Sequence, residues 1–298
     1  MSATAKGVSA AVLSNALFAV LFLYGGWMQP MGGTDIFAWR MVSMLLALCG
    51  LIGLTGGWRQ VWNFLRTMRA DGKLRMTVWL TTPILASQLW LFMWAPVNGE
   101  GLNVAMGYFL FPLAMMLAGR LWFGDRLNAL QKAAVGLACL GVAAELWRTG
   151  AFSWATVWVF GTYPVYYLLR RKAGVPSLIG LLLDLAVIAP CMLVYLLTVS
   201  DSLTLLAAQP SLWWFVALLG LNSAVAMYLN LQANALLPVT LFGMLSYLEP
   251  VLLFAVSLLW LGEQPEAGAL WSYGLIWAGL CVMLADGALK MRMKRSTR

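Results

Sequence analysis

Apolar residues run through this chain in long blocks. The blocks are separated by short clusters of charged residues, glycine and proline. Most are apolar all round, without the alternation of a half-buried strand or the single stripe of a surface helix. At about 17–25 residues each, such blocks read as bilayer-crossing helices. Ten are predicted: Gly7–Met28, Thr34–Thr55, Met76–Val97, Leu102–Phe123, Ala129–Trp147, Ala151–Leu169, Ser177–Val199, Ser211–Leu236, Val239–Leu261 and Ala267–Leu289. One segment differs. Between Gly56 and Arg75, Trp58, Val61, Trp62, Leu65 and Met68 share a helical face while Arg59, Asn63 and Arg66 take another. This pattern predicts a short amphipathic helix lying on a membrane surface, with an anchoring role. Lys6 precedes the first block, no small-residue cleavage site follows, and the block is read as a retained span.

Composition agrees with this pattern. Of the 298 residues, 62% are apolar and 10% charged, against about 45–50% and about 25% in soluble domains. Mean hydropathy is +0.82. An ordinary soluble enzyme, a disordered chain and a nucleic-acid-binding domain are thereby excluded. The net charge of +8 carries topological information. With the amino terminus in the cytoplasm and spans alternating, all but two of the 19 lysines and arginines fall on the cytoplasmic side, the exceptions being Arg40 and Arg148. The external loops hold Glu100, Asp201, Glu263 and Glu266. This is the positive-inside distribution, with both termini cytoplasmic and an attraction to the anionic inner leaflet.

The chain has no histidine, so the commonest proton shuttle and metal ligand is missing. Cys49, Cys139, Cys191 and Cys281 lie singly inside apolar blocks and are expected as free thiols packed in helices. No metal, cofactor or catalytic constellation is expected, and no glycine-rich phosphate loop is present to couple ATP.

The chain also repeats itself. At one constant offset, Leu110 matches Leu248, Pro112 matches Pro250, Leu121-Trp122 matches Leu259-Trp260, Gly124 matches Gly262, Gly136-Leu137 matches Gly274-Leu275 and Gly141 matches Gly279. The predicted organisation is a first five-helix half over 1–147, a second over 148–289, and a basic tail over 290–298. Five is odd, so the second half enters the membrane in the opposite sense. An all-α integral membrane fold of two inverted five-helix repeats follows, an architecture in which secondary transporters place substrate near the midplane.

The segment Gly107-Tyr108-Phe109-Leu110-Phe111-Pro112-Leu113, the helix end Trp122-Phe123-Gly124-Asp125-Arg126, and the following Gly136 and Gly141 resemble the EamA module of the drug/metabolite transporter superfamily. The second copy, from Tyr247-Leu248-Glu249-Pro250 to Leu261-Gly262-Glu263, is nearer that pattern, and Asp125 departs from it where Glu is usual. Thr34-Asp35-Ile36-Phe37-Ala38-Trp39-Arg40 and Leu91-Phe92-Met93-Trp94-Ala95 resemble the RarD and YddG-type branch. The resemblance implies a ten-helix exporter of small metabolites in a bacterial inner membrane, with aromatic and other amino acids the expected solutes on the YddG side and drugs on the RarD side.

Pro112 and Pro250 each lie about 15 Å into a span at 1.5 Å per residue, where a proline kinks the helix and frees a carbonyl. They are the candidate hinges, with inherited packing kinks as the alternative. Glu249 sits at the same depth. A charge there costs about 2.5–3.5 kcal/mol on insertion scales if it faces lipid. Two roles stay open for it: a ligand for an ammonium or a proton, or a buried carboxyl holding a neighbouring helix. Arg40 has a substrate carboxylate as one candidate partner and Glu145 as the structural alternative. Asp184 is matched to Arg170 or Arg171, or to an inner gate. Gln88, Trp90, Tyr108, Tyr163, Asn222, Tyr228 and Tyr247 complete the candidate substrate lining, with aromatic walls and amide hydrogen bonds for an amphipathic solute; plain packing is the alternative for each. Trp27, Trp58, Trp147, Trp213 and Trp214 are placed for interfacial belts. Ala134, Ala138 and Gly141, and again Gly274, Ala278 and Cys281, form small-residue faces suited to close helix contact. That contact is either within the chain or between copies, so the oligomeric state stays open. The expected partners are a small-molecule substrate and the bilayer, with no nucleic acid. The expected activity is export of small metabolites, amino acids first, by alternating access. Other drug or metabolite solutes, a channel and a non-transporting scaffold are the alternatives. Proton coupling stays open, with Glu249 and Asp184 as its candidate carriers.

Overall fold

The computed structural model of the chain describes residues 3–123, 128–149, 153–237, 242, 245–265 and 268–296. Gly124, Asp125, Arg126 and Glu266, and the span bounds Ala151, Val239 and Ala267, all used in the reading above, lie outside the described residues. So do the side chains of Arg120, Trp122, Phe123, Lys290, Arg292, Lys294 and Arg295. Among the described residues there are twelve α-helices, one 3-10 turn and no strand. The helices are α1 (Ala3–Trp27), α2 (Gly33–Thr55), α3 (Trp58–Ala70), α4 (Gly72–Trp94), α5 (Gly101–Phe123), α6 (Ala129–Thr149), α7 (Trp154–Lys172), α8 (Ser177–Thr198), α9 (Ser202–Ala208), α10 (Leu212–Leu236), α11 (Leu248–Leu259) and α12 (Ala269–Ser296). Each predicted span overlaps one of them, the ninth only in part. Seven stretches are long and apolar enough to cross a membrane: α1, α2, α4 with its 3-10 extension to Val97, α6, α8, α10 and α12. The chain is a multi-pass membrane protein.

Local chemistry sets the helix ends. After α2, Gly56 takes φ 70° and donates its N–H to Gly53 O, while Gly57 N–H reaches Ile52 O. This left-handed cap favours glycine. Asp71 begins α4, accepting the N–H groups of Lys73 and Leu74 at 2.9 and 3.1 Å, as an N-cap should. The predicted ninth span departs most from expectation. Phe242, Ser246 and Leu245 are helical, Tyr247 is a turn, and α11 then begins at Leu248. Pro250 therefore stands in the first turn of a new helix. There its missing N–H forfeits no hydrogen bond. Pro112, by contrast, lies inside continuous α5. The tail differs as well, since α12 continues through Ser296.

The described chain divides into two compact units, each drawing on both halves of the sequence. The first comprises Met1–Val12, Glu100–Pro164 and Ala233–Arg298; the second comprises Leu13–Gly99 and Val165–Gln232. In the first unit α6 packs along α12 and α5 along α11. In the second, α2 packs along α8, with α4 against both. These three most extensive contacts, α6 with α12, α2 with α8 and α5 with α11, each join a predicted span of the first half to its counterpart in the second.

The α6–α12 contact is reciprocal in detail. A Cβ on Gly141 would lie 2.8 Å from Ser272 O, and one on Gly279 would lie 2.8 Å from Ala134 O. Gly141 and Gly279 occupy matching positions of the repeat, as do Ala134 and Ser272. Such exchange of partners is the signature of a two-fold contact. Ala134 and Ala138 are buried in it as the small-residue face predicts. The α12 side of the contact is Ser272, Ile276 and Gly279; the predicted Gly274–Ala278–Cys281 face is exposed.

Candidate functional site

The candidate residues fall in both units, and each cluster is built within one of them. In the second unit, Arg40 on α2 is 2% exposed. Its Nε donates to Ser223 Oγ on α10 at 3.0 Å, and its guanidinium lies 5.3 Å over the Phe92 ring of α4. Phe92 in turn meets Phe22 edge to face at 5.2 Å. Glu145 pairs with Arg148 one turn along α6, because a neighbour on the same helix face is always within reach. Beside Ser223, Asn222 donates through Nδ2 to Leu17 O at 3.3 Å; its buried Oδ1 has no hydrogen-bond partner among the described residues. A cation, an aromatic face and a hydroxyl thus adjoin on α2, α4 and α10, while the Asn222 amide, next in the chain to Ser223, meets α1.

Other predicted residues of this unit serve as links. Trp90 donates to Thr34 Oγ1 at 3.0 Å and stacks on Trp94 at 5.3 Å. Gln88 is 1% exposed. Tyr228 accepts from Gln232 Nε2 at 3.2 Å, one turn away. Farther along the same helices, Asp184 of α8 is fully buried. Its Oδ1 accepts from Thr82 Oγ1 and Arg170 Nη2, both at 2.5 Å, and its Oδ2 accepts from Tyr166 OH at 3.1 Å. Arg170 also donates to Thr81 Oγ1 at 2.6 Å and lies over the Tyr166 ring. Gly180 makes room for this guanidinium: a Cβ there would stand 3.0 Å from Arg170 Nη1. Of the two arginines matched to Asp184 by sequence, Arg170 makes the pair. Tyr166, Thr81 and Thr82 went unpredicted; their signal was an adjacent hydroxyl pair inside an apolar helix and a tyrosine one turn before Arg170.

In the first unit, Tyr108 and Tyr163 meet at 6.3 Å edge to face, and Phe111 lies 5.2 Å from Tyr163. Tyr247 is buried and its OH donates to Met283 Sδ at 2.9 Å. Glu249 occupies the first turn of α11, half-buried, where the helix dipole favours a carboxylate. A small cavity of about 20 Å³ opens between α5, α6, α7 and α12, lined by Asn103, Glu145, Ser153, Thr156 and Ser272 among others. That is room for one water molecule and none of the predicted lining faces it. The Gly262-Glu263 turn has a definite task. Gly262 takes φ 69°, and the Glu263 carboxylate accepts the N–H groups of Gly101 and Leu102 at 3.0 and 2.7 Å. It caps α5, the counterpart of the helix it follows. Burial and the nearby Glu100 raise the Glu263 carboxyl above the ordinary range by more than those two N–H groups lower it.

Comparison with known proteins decides the family. The EamA-like transporter family matches residues 146–285. A protein of Haemophilus influenzae named an uncharacterized transporter is 40% identical over 99% of both chains. The chloramphenicol-sensitive protein RarD of Pseudomonas aeruginosa is 36% identical over 98% of both. The chain belongs to the EamA-like transporter family. Among the relatives of this EamA-like chain are also the uncharacterized transporter YojE of Bacillus subtilis, 26% identical over 99% of this chain and 98% of its own, and RarD of Salmonella typhi, 26% identical over 98% of both. A solved crystal structure with 20% identity covers 95% of this chain and 98% of its own with a TM-score of 0.56, and so shares its fold.

Proposed function

We propose that this EamA-like protein is a secondary transporter that exports small metabolites, amino acids including aromatic ones first, across a bacterial inner membrane by alternating access. Its ten predicted spans form two inverted five-helix halves, with both termini cytoplasmic. The observation that carries the solute class is the Arg40–Phe92–Ser223 cluster, with the unsatisfied amide oxygen of Asn222 on the same helix as Ser223. A zwitterion needs a donor for its carboxylate and an acceptor for its ammonium. Arg40 supplies the first as a bidentate group, and the unpartnered Asn222 Oδ1 the second. Phe92 and Phe22, packed edge to face under the guanidinium, give the cluster the aromatic character that suits an apolar or aromatic side chain. Segregation of the basic residues supports the orientation, and the reciprocal glycine contacts of α6 and α12 support the repeat. Pro112 and the helix break before Pro250 are the proposed hinges, with Glu249 the carboxylate beside the second.

The test is efflux. Cells preloaded with labelled phenylalanine release it faster when they express the protein. Arg40→Gln and Asn222→Ala each slow that release on the order of tenfold, the scale of one lost charge-assisted hydrogen bond. Release that is equal with and without the protein overturns the amino-acid reading. The printed name of the Pseudomonas aeruginosa relative favours a second reading, drug-like solutes, and efflux of chloramphenicol alone selects it.

A further inference from the structure

Helix α3 is bound to the protein along one side only. Val61 is buried and Phe64, Leu65 and Met68 are partly covered, so that side packs inward, with α4 as its neighbour. The two tryptophans do not share it, contrary to the expected apolar face. Trp58 and Trp62 are 38% and 57% exposed, one turn apart, with Arg69 between them in projection and Arg66 and Arg59 following around the helix, all exposed. At 3.6 residues per turn these five side chains fill a sector of about 100°. None of the three guanidiniums has an ion pair or hydrogen bond among the described residues. The one carboxylate of the segment, Asp71, is engaged in capping α4. Lys73 and Arg75 add two more cations in the next turn. Three positive charges on α3 and two at the start of α4 thus have no ion pair among the described residues, in a chain that crosses a membrane.

We propose that the Trp58–Trp62–Arg59–Arg66–Arg69 face of α3 binds the headgroups of anionic phospholipids in the adjoining leaflet. A guanidinium matches phosphate oxygens bidentately. Indole rings settle at headgroup depth, with the ring in the acyl boundary and the N–H in the polar layer. A soluble acidic partner would use the arginines and leave the indoles unexplained; a lipid surface uses both. The inward side of α3 and the Asp71 cap keep this face at a fixed position beside α4, which makes it a site on the protein.

Native mass spectrometry of the full-length protein in mild detergent tests this, with phosphatidylglycerol or phosphatidylcholine added. Phosphatidylglycerol is retained over phosphatidylcholine by about tenfold or more, given about 1 kcal/mol per basic residue near an anionic surface. In R59Q/R66Q/R69Q that preference falls to within about twofold, while R59K/R66K/R69K keeps most of it. W58A/W62A weakens retention of both lipids. Replacing the tail residues Lys290, Arg292, Lys294 and Arg295 by glutamine leaves the preference largely in place. Should the glutamine triple variant not fold, the wild type decides: its preference collapses in about 1 M salt, where screening acts within about 3 Å. A wild type without preference, a glutamine triple variant that keeps it, a preference that survives that salt, a loss confined to the tail variant, or tighter binding of an acidic peptide than of phosphatidylglycerol would overturn the proposal.

Discussion

Asp184 and Arg170 illustrate how a charge persists inside an apolar helix. Each carries several hydrogen bonds besides the ion pair, from Thr82, Tyr166 and to Thr81, which is what offsets the loss of water around both groups. Removing one partner strands the other. Asp184→Ala is therefore expected to lower stability by about 3–5 kcal/mol, and the double change Asp184→Leu with Arg170→Met to recover most of that loss. Thermal unfolding in detergent checks both; a double variant as unstable as Asp184→Ala contradicts the account. Glu263 gives a pH dependence. Its carboxyl is raised by burial and by Glu100, so the folded protein holds that proton more tightly than the unfolded chain. The corresponding stability is present below the ordinary carboxylate range and is lost as pH rises through the raised value. Glu263→Gln, which stays neutral, lacks that slope. Melting temperatures of the two proteins from roughly pH 4 to pH 8 should diverge as pH rises, the wild type losing ground; a constant difference would refute the assignment. The Arg170–Asp184 match was legible in the sequence because a buried acid needs a base one or two turns away. The partner of Arg40 was not legible. Depth along a span does not say which neighbouring helix a side chain meets, and only the packing of α2 against α10 and α4 brings Ser223 and Phe92 to Arg40.

At the scale of helices, hydrophobic block length located, to within a few residues, the seven stretches long and apolar enough to cross a membrane, because the apolar requirement of a bilayer leaves little freedom. What block length could not show was the break at Tyr247. Residues on both sides of it are apolar, and the proline that marks it reads equally as a kink or as a first-turn residue. Nor could it show that Trp58 and Trp62 stand exposed on α3, since an apolar stripe does not say which of its edges meets protein. Close helix contact was legible as small residues, but its register on α12 was one face off: Gly279 makes the contact and Gly274 does not. The difference yields a paired test. Gly141→Leu and Gly279→Leu drive a side chain into the opposing backbone and should each cost about 1–3 kcal/mol or more. Gly136→Leu and Gly274→Leu have nothing within 4 Å of a new Cβ and should fold as well as the parent. Equal melting temperatures across all four variants would contradict the α6–α12 packing.

At the scale of the whole molecule, the three most extensive helix contacts join counterpart spans of the two halves, and the tightest of them exchanges partners about a two-fold. On the proposed reading, in which the second half repeats the first in the opposite sense, the chain has two similar packings available, one for each side of the membrane. That property is what a carrier needs and what a channel or a scaffold does not. The buried Asp184 of α8 pairs with Arg170 of α7, whereas the buried Arg40 of α2 donates to the Ser223 hydroxyl of α10, the contact on which the proposed solute site is built. Counterflow in proteoliposomes measures the central claim most directly. Vesicles loaded with unlabelled amino acids and containing the purified protein are offered labelled phenylalanine and threonine outside, with and without a pH gradient. The account predicts saturable entry that requires the internal amino acid, and its change under the gradient reports proton coupling. Entry that never saturates and ignores the internal solute, or no entry above empty vesicles with folded protein, would contradict it.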